Sequence, residues 1–587
     1  MKKAFTLFLI YFVFLGLNAQ KKDSIKENVK TEVVNIVTTY NPEISDANKI
    51  KKNPEIELLR KNQKKKLRYS IFSAPVASTF VPKTGVVKSI NLISNERIYD
   101  NYVAAGFGNY VTPYFETYLH HTTHYKNEIG FNAKYLASEE NIRNSVLNSN
   151  FSNLNAGAFY KQNERDYDWK VRLNAARNLY NWYGLPGITF TEPITNAINE
   201  EQIYSNLQLI GAYNIKDATI ESGELKASYF TDSFKSTEVL LNLNTNLNFP
   251  LYAISSNLND LDLKTSIEFL KGDFENDYSA LNAIQYAITT IGLNPQYKIQ
   301  NNNFILKLGF KLLASIDSEN DENNTFILPD LFIQTSIVEN YLNIYAGFTG
   351  DLRTNTYQNF AAENPFISPT QLIQQTLEKS NLFVGFNGKV SSKVSFNFKG
   401  IMKSEDDRPL FLRNASKSNG TNNTLGGNLL NGYEYGNSFS VVYDDVETTS
   451  ILAELAYDYS KSLSFRVQGI YNEFTLENES ESWNLPTTEV TFSAKYSDDK
   501  WFAGTNIFHV SERKDALYSG QFPTAISGSE TIDAFVDVNL NGGYHFNDKF
   551  STFIKLNNVL NTEYQRFANF DTQGFQILAG LSYQFNF

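Results

Sequence analysis

Three of the five histidines lie close together in the sequence, at His120, His121 and His124. Imidazole nitrogens at suitable spacing can bind Zn²⁺ or another transition metal. On an extended strand, His120 and His124 share one face and His121 points to the other, because successive side chains alternate. The three rings converge only if the chain bends, so the sequence favours a polar strand end near a turn over a metal site.

An acidic run at residues 317–322 is the second candidate for metal binding. It brings four carboxylates together, and Ca²⁺ prefers oxygen ligands of this kind. The run lacks the glycine and the distal bidentate glutamate of an EF-hand loop. We therefore interpret it as a solvated loop tip, with a calcium site as the alternative, and we predict no metal ligands and no cofactor.

Paired carboxylates can act as general acid and base, and the sequence offers Asp406-Asp407 and Asp444-Asp445. Adjacent residues of a strand face opposite sides, and no His or Ser completes a nucleophilic arrangement at a recognisable spacing. The segment Gly106-Phe107-Gly108 is not a phosphate-binding loop, because no helix and no Lys-Ser/Thr pair follows it. We therefore predict no catalytic residues and expect that the chain is not an enzyme.

Charge and cysteine content exclude several classes of protein. A net charge of −11 and a pI near 5.2 argue against a nucleic-acid-binding protein, whose electrostatic footprint is basic. The absence of cysteine excludes disulfides, thiolate metal sites, a cysteine nucleophile and the lipidated cysteine of a lipoprotein. An acidic secreted enzyme is still compatible with the charge alone.

The N-terminal segment has the features of a secretory signal peptide. Lys2 and Lys3 precede an apolar run of thirteen residues, Phe5 to Leu17, and Leu17-Asn18-Ala19 offers a cleavage site. The alternative is a membrane anchor, but a spanning helix needs about twenty apolar residues. We predict that residues 1–19 are removed as a signal peptide.

From about residue 100 onward, apolar residues alternate with polar or small ones at the period of a β-strand. Segments at 239–249, 451–459 and 536–546 show this pattern clearly. The last segment sets one apolar face against one polar face: Phe575, Ile577, Ala579, Leu581, Tyr583, Phe585 and Phe587 against Gln576, Gly580, Ser582, Gln584 and Asn586.

Two classes of protein show such alternation, a soluble β-sandwich or propeller and a membrane β-barrel. Here the polar face carries Asn, Gln, Ser, Gly and Thr through many successive segments, and the apolar face ends in Tyr or Phe. A wet lumen and an interfacial aromatic girdle explain both features. Beyond residue 20 no apolar run approaches about eighteen residues, so a closed barrel is the remaining way to span a membrane.

Short and long connections alternate along the chain, as they do in outer-membrane barrels. The short ones lie at 391–393, 460–462, 497–500 and 547–549, and the long ones near 179–202, 352–379, 404–435, 512–533 and 559–573. With 436–459 taken as one long strand, we predict an all-β fold, a transmembrane antiparallel β-barrel of about 22 strands over residues 93–587. A short irregular periplasmic extension precedes this barrel.

That extension, residues 20–92, alternates poorly, is rich in lysine and is interrupted by Pro42, Pro54 and Pro75. Nine Lys or Arg residues lie between Lys49 and Arg68. Because charged segments with many breakers rarely build a core, we interpret it as a solvated N-terminal periplasmic tail. The alternative is a docking arm or a partial occluder of the lumen. Because a lumen of about 22 strands is normally plugged, something must close it, and we expect inward-folded loops such as 352–379 and 404–435 to do most of the closing, rather than the tail or a partner protein.

Two stretches resemble the barrels of TonB-dependent receptors. Residues 555–564, Lys-Leu-Asn-Asn-Val-Leu-Asn-Thr-Glu-Tyr, are similar to the Asn-(Leu/Val)-(Phe/Leu)-Asn-x-x-Tyr segment near the C-terminus of that family. Residues 481–486 and 499–504 are similar to its Bacteroidetes-type barrels. The resemblance covers about residues 95–587 and implies a receptor-like barrel.

Such receptors carry a folded plug before the barrel, and residues 20–92 are too few and too charged for one, so we expect a barrel that lacks the plug domain.

The leading functional hypothesis is transport or binding of a solute or polymer at the outer membrane. The alternative is a scaffold or accessory subunit of a complex for protein assembly, secretion or lipoprotein traffic, and a third hypothesis, a hydrolase, has no supporting constellation. Expected partners are outer-membrane lipids, the barrel-assembly machinery and a periplasmic or surface protein, but not nucleic acid. The predicted membrane-insertion signal is the apolar face of the terminal strand: Leu581, Tyr583, Phe585 and Phe587.

Overall fold

The computed structural model describes residues 99–123, 127–251, 259–279, 282–301 and 303–587. Several predictions fall outside these residues: the signal peptide at 1–19, the tail at 20–92 and the placement of His124. The predicted start of the barrel at residue 93 lies there too and stays a prediction.

Twenty-two antiparallel strands form a single sheet that closes on itself. The first strand pairs with the last from Asn101↔Phe585 to Gly108↔Leu578. The predicted all-β barrel of about 22 strands is therefore confirmed. In chain order the barrel strands are β1 (Asn101–Gly108), β2 (Thr112–Thr122), β3 (Asn127–Ser138), β4 (Phe151–Asn163), β5 (Tyr167–Asn181), β6 (Glu201–Ile215), β7 (Ile220–Thr231), β8 (Thr237–Phe249), β9 (Leu261–Phe274), β10 (Ile284–Gln300), β11 (Phe304–Asp317), β12 (Glu322–Val338), β13 (Leu342–Thr354), β14 (Gln375–Ser391), β15 (Val394–Arg413), β18 (Phe439–Asp458), β19 (Leu463–Leu476), β20 (Thr488–Ser497), β21 (Trp501–Val510), β24 (Phe535–His545), β25 (Phe550–Asn557) and β28 (Gln576–Phe585).

Smaller elements lie within the connections between these strands. They are the helices α1 (Glu192–Thr195) and α2 (Tyr357–Glu363) and the hairpin strands β16 (Thr424–Leu425), β17 (Asn428–Leu429), β22 (Arg513–Tyr518), β23 (Ile526–Ile532), β26 (Gln565–Phe567) and β27 (Phe570–Asp571). In the part of the chain that the structure describes, no helix is long and apolar enough to cross a membrane.

The two faces of the barrel wall differ as the alternation predicts. Leu243, Ile451 and Leu581 point outward and are exposed. Asp537 and Asn539 point inward and are buried, and the Asn539 Nδ2 donates to the Asp537 Oδ2 at 3.0 Å. An apolar exterior around a hydrogen-bonded polar interior is the pattern of a membrane barrel rather than of a sheet protein with a dry core.

The two ends of the barrel differ in the length of their connections. At one end, the turn end, the predicted short turns join β14 to β15, β18 to β19, β20 to β21 and β24 to β25. At the other, the loop end, the long connections follow β5, β13, β15, β21 and β25, and span 182–200, 355–374, 414–438, 511–534 and 558–575. The predicted alternation of short and long connections is therefore confirmed at these positions.

The predicted loop at 404–435 starts too early. β15 continues to Arg413, and the next barrel strand is Phe439–Asp458, which confirms the single long strand predicted at 436–459. The charges that suggested a loop are paired within the wall, where the Arg408 Nη1 donates to the Glu405 Oε2 at 3.1 Å. A register shift between Glu405 and Arg408 accommodates them, so charge does not mark the end of this strand.

Candidate functional site: a loop cap across the lumen

The five long connections of the loop end fold inward and pack on one another and on the wall; together we call them the loop cap. Segments 355–374 and 558–575 share an aromatic core with inward-facing residues of β6, β7, β9, β10 and β18. Segments 182–200 and 414–438 build a second, smaller core. These buried side chains give the cap a packed structure of its own, unlike solvated surface loops.

Segment 355–374 crosses the lumen. The Tyr204 hydroxyl, on β6, donates to the backbone oxygen of Pro365 at 3.0 Å. The next residue, Phe366, accepts at its backbone oxygen from the Phe439 backbone N–H on β18, at 3.1 Å. The segment leaves the wall between β13 and β14 and reaches β6, seven strands from β13 in a ring of twenty-two, so it extends across the lumen. There it also meets Phe439, the first residue of β18, at the loop end of that strand.

Helix α2 is anchored on the wall through its N-terminus. The Thr356 side chain caps the helix by accepting from the Asn359 backbone N–H at 3.0 Å. The Glu238 carboxylate, on β8, accepts from the backbone N–H groups of Tyr357 and Gln358 at 2.7 and 3.1 Å. These two donors have no partner within the helix, and a carboxylate at this end is favoured by the helix dipole.

A second carboxylate fixes the helix from the loop after β7. The Tyr357 hydroxyl donates to the Asp232 Oδ2 at 2.8 Å, and the Tyr357 side chain is fully buried. Burial raises the pKa of the Asp232 carboxyl, although the hydrogen bonds from Tyr357 and Ser236 act in the opposite direction. The buried face of α2 is therefore tied to the wall by directed polar contacts as well as by packing.

Three aromatic rings join separate parts of the cap. The Phe366 and Phe570 rings stack with centroids 3.7 Å apart and planes 19° apart. Tyr183 contacts the Phe570 ring edge-on at 5.0 Å, and its hydroxyl donates to the Asp571 backbone oxygen at 2.8 Å. Segment 355–374 is thus held by contacts with both 182–200 and 558–575.

Backbone contacts interlock segments 182–200 and 414–438. The Thr191 N–H donates to the Gly420 oxygen at 2.9 Å, and the Asn437 Nδ2 donates to the Trp182 oxygen at 2.6 Å. Gly420 has a φ of +92°, and a Cβ there would lie 2.1 Å from the Thr189 oxygen. Only glycine fits this approach, because any side chain would clash with the backbone of the neighbouring segment.

A buried ion pair connects segment 414–438 to its neighbours. The Lys417 Nζ lies 2.5 Å from the Glu434 Oε1, with both side chains almost fully buried. The ammonium also lies 4.7 Å from the centroid of the Tyr278 ring. Segment 511–534 joins here, since the Phe522 N–H donates to the Ser416 oxygen at 2.7 Å. Removal of either charge would leave the other buried and unpaired.

A polar cavity lies inside the barrel wall, with a volume of about 710 Å³. Asn244 and Asn246 of β8 line one part of it, together with lysines and carboxylates of the neighbouring strands. Among these, the Lys311 Nζ lies 3.0 Å from an Asp351 oxygen. The mixed charges and amides form a wettable surface with no single sign of charge.

The histidines and the acidic run behave as local polar features. His120 points inward, with its Nε2 3.4 Å from a Glu128 oxygen, while His121 lies on the other face, 6.3 Å from the Phe587 ring centroid. In the acidic run, the Asp317 Oδ1 accepts from the backbone N–H groups of Glu319 and Asn320 at 3.0 and 3.2 Å. Among the residues that the structure describes, no group of three His, Cys, Asp or Glu could hold a metal ion.

The predicted carboxylate pairs separate into distinct structural roles. The Asp444 carboxylate accepts from the backbone N–H groups of Asn478 and Glu479 and so fixes the loop after β19. Asp406 pairs with the Lys379 Nζ at 2.5 Å. These contacts organise the loop end. That the chain is not an enzyme stays a prediction.

The terminal strand presents the predicted insertion residues on the outer face of the wall. Leu581, Tyr583 and Phe587 are exposed, and the Phe585 ring stacks on Tyr583 with centroids 5.7 Å apart. Their role as an insertion signal stays a prediction.

Closure by inward-folded loops such as 352–379 and 404–435 was predicted from the width of the lumen, but the residues that build the cap were not, because the long connections were treated as polar. Several of them carry aromatic residues that pack together in the cap, such as the buried Phe570 and the partly buried Tyr183 and Phe366. A second signal lay in the wall, where Leu240, Leu270 and Tyr286 interrupt the polar face of their strands near the loop end. Apolar residues on both the loops and the inner face predict contact between the two.

No family model and no curated protein matches this chain. Solved structures do match it. They include the FrpB iron transporter from Neisseria meningitidis (TM-score 0.61, 10% identity, 84% of this chain and 82% of that chain). The ferric-catecholate import receptor Fiu from E. coli K12 matches with TM-score 0.59, 10% identity, 83% of this chain and 82% of that one.

The siderophore receptor PirA from Acinetobacter baumannii gives TM-score 0.58 and 11% identity over 83% of this chain and 80% of that chain. At such low identity the similarity shows the fold alone, a closed 22-stranded antiparallel barrel.

Proposed function

We propose that this chain is an integral outer-membrane barrel that transports or binds a solute or polymer, with the loop cap as its closed outer gate. The observation that carries this proposal is the extension of segment 355–374 from β13 across the lumen to β6, where residues 365–368 also contact the first residue of β18. The apolar exterior and the polar interior support a barrel that spans the membrane and has a water-filled lumen.

Similarity to an iron transporter and to import receptors supports transport over other roles for the barrel. The loop end then faces outward and the turn end faces the periplasm, as in other outer-membrane barrels. A barrel of this size needs closure, since lumens of about 22 strands are normally plugged. The loop cap supplies closure without a separate plug domain. The solute is a polar molecule or chain that wets the amide-lined cavity.

Single-channel conductance of the purified chain tests the gate. Replacement of residues 357–371 by a short Gly-Ser linker removes α2 and the crossing segment. We expect a large increase in conductance and a loss of vancomycin resistance in cells. The matched control shortens the hairpin Thr424–Leu429, whose strand residues are exposed, and should leave both unchanged. Equal, low conductance in both variants would contradict the gate.

We propose that the terminal strand carries the signal for insertion of this barrel into the outer membrane. Tyr583 and Phe587 lie on the outer face, where the barrel-assembly machinery and then the lipid would contact them. Phe587→Asp should lower the amount of protein in the outer membrane, whereas Asn586→Asp should not. Normal abundance and heat-modifiable migration of the Phe587 variant would contradict an insertion signal.

A second function, a scaffold in an outer-membrane complex, is favoured by one feature of the cap. The hairpin β16–β17 turns at Gly426 and Gly427 and exposes Leu425 and Leu429, the latter 74% exposed. An exposed apolar tip on a rigid hairpin suits contact with a surface protein. Purification in mild detergent separates the two functions: co-purified proteins that Leu429→Asp releases favour the scaffold, and a solitary barrel favours transport.

A further inference from the structure

A small cavity lies between the loop cap and the inner wall of β19 to β24, apart from the larger polar cavity. Its volume is about 200 Å³. Arg513, at the start of the β22–β23 hairpin, and the 558–575 segment close it on the cap side, while Glu489 and Asp537 face it from the wall. Pockets for drug-sized ligands are about 300–1,000 Å³, so this one is limited to a small solute.

Arg513 is buried, with 7% of its surface exposed. Its Nη2 donates to the Gln565 backbone oxygen at 2.7 Å, and its Nη1 donates to the Arg566 backbone oxygen. Its Nε has no hydrogen-bond partner among the described residues. A guanidinium that is oriented by two carbonyls and keeps one buried N–H unpaired is ready to donate to an added acceptor.

Asp537, which lines the cavity from β24, shows the complementary arrangement. Its Oδ2 accepts from the Tyr564 hydroxyl at 3.2 Å and from the Asn539 Nδ2 at 3.0 Å. Its Oδ1 is buried without a partner in the described structure, and the residue is 3% exposed. Two residues that line the cavity therefore carry one unpaired buried donor and one unpaired buried acceptor, each held in place by the other contacts of its side chain.

Aromatic rings form the remaining side of the cavity. The Phe535 and Tyr564 rings stack with centroids 4.1 Å apart and planes 8° apart, and the Arg513 guanidinium lies 5.8 Å from the Phe535 centroid. Phe508 also lines this side. A bound solute would place an apolar group against these rings.

We propose that this cavity binds a small zwitterion, an α-amino acid with an apolar side chain. Its carboxylate accepts from the Arg513 Nε, its ammonium donates to the Asp537 Oδ1, and its side chain packs on the aromatic rings. Each unpaired buried atom gains the partner that it lacks, which neither an anion nor a cation alone achieves.

Calorimetry on the purified full chain in detergent tests the site with L-phenylalanine as the probe. Two analogues each lack one charge: 3-phenylpropionate has no ammonium, and phenethylamine has no carboxylate. We expect L-phenylalanine to bind at least tenfold more tightly than either analogue. No binding of L-phenylalanine up to millimolar concentration, or equal binding of all three compounds, would overturn the proposal.

A pair of matched variants locates the binding. Asp537→Asn keeps the shape of the side chain and should weaken L-phenylalanine at least tenfold, while leaving 3-phenylpropionate unchanged. Asp330→Asn alters another inward carboxylate, which accepts from the side-chain amides of Asn294 and Gln296. This control should leave the affinity for L-phenylalanine and for 3-phenylpropionate unchanged. Equal weakening by both variants would overturn the site. If Asp537→Asn lacks heat-modifiable migration, the analogue series on the unaltered chain decides by itself.

Discussion

Within single strands, the inner face of the barrel changes character between the turn end and the loop end. Along β8, Asn242, Asn244 and Asn246 face the lumen, whereas Leu240 and Glu238, nearer the loop end, contact the loop cap. β10 changes in the same way, from Asn294 to Tyr286. The same wall is thus a wet surface at one level and a packed interface at the next, and the position of the change shows how deep the cap reaches.

The largest effect should come from the aromatic contact at the centre of the cap. Phe366→Ala removes the ring that stacks on Phe570; because Phe366 is partly buried, we expect a cost near the lower end of the about 3–5 kcal/mol that loss of a buried Phe carries. We expect segment 355–374 to be cleaved by added protease and conductance to rise. Asn246→Ala, on the wet level of the wall, should change neither. Equal protease sensitivity of the two variants would mean that the two levels do not differ.

The next largest effect should come from a charge placed on the outer face of the wall. It tests whether the outer and inner faces are assigned correctly. Leu243→Arg places a charge on the lipid-facing side, which costs roughly 2–4 kcal/mol at mid-membrane. Asn244→Arg, one residue on, places it in the lumen at little cost. Thermal unfolding and heat-modifiable migration measure the difference, and equal tolerance of the two would mean that the faces are assigned wrongly.

A smaller effect should follow from the loss of one hydroxyl group, which tests the contact between β6 and the loop cap. Tyr204→Phe removes the hydrogen bond to Pro365 and keeps the ring stacked near Phe230, so we expect a loss of about 1 kcal/mol. Hydrogen exchange at residues 365–368 should accelerate, while exchange in β8 at Asn244 should not. An unchanged rate at 365–368 would show that β6 does not hold the segment.

The smallest effect should be a pH dependence of the stability of the β22–β23 hairpin in the loop cap. Burial raises the pKa of Asp515 to about 6, despite the nearby Arg413. Because the folded pKa exceeds the unfolded one, this contribution to stability is complete below the unfolded pKa of about 4 and is lost as pH rises through 6. Between pH 5 and 7.5 the hairpin should lose about 1 kcal/mol, measured by hydrogen exchange at residues 513–518. Asp515→Asn should remove the dependence, and a persistent dependence would assign it to another group.

The barrel wall could be predicted from the sequence because the patterns that define it involve residues close together in the chain. Period-two alternation placed Leu243 and Asn244 on opposite faces, and short polar turns fixed the strand count. The loop cap could not be predicted in this way, since the contact between Tyr204 and Pro365 joins residues 161 positions apart. The same limit applies to Arg513 and Asp537, whose significance depends on hydrogen bonds that only the folded chain reveals.

Chemical cross-linking tests most directly whether the cap crosses the lumen. The chain has no cysteine, so the pair Tyr204→Cys with Ile367→Cys can be joined in whole cells by a short bismaleimide. A second pair, Ser368→Cys with Phe439→Cys, reports the contact with β18. The account predicts that both pairs cross-link, and that Tyr204→Cys with Leu429→Cys does not. Cross-linking at Phe439 alone would place the segment on one side of an open barrel and contradict the crossing.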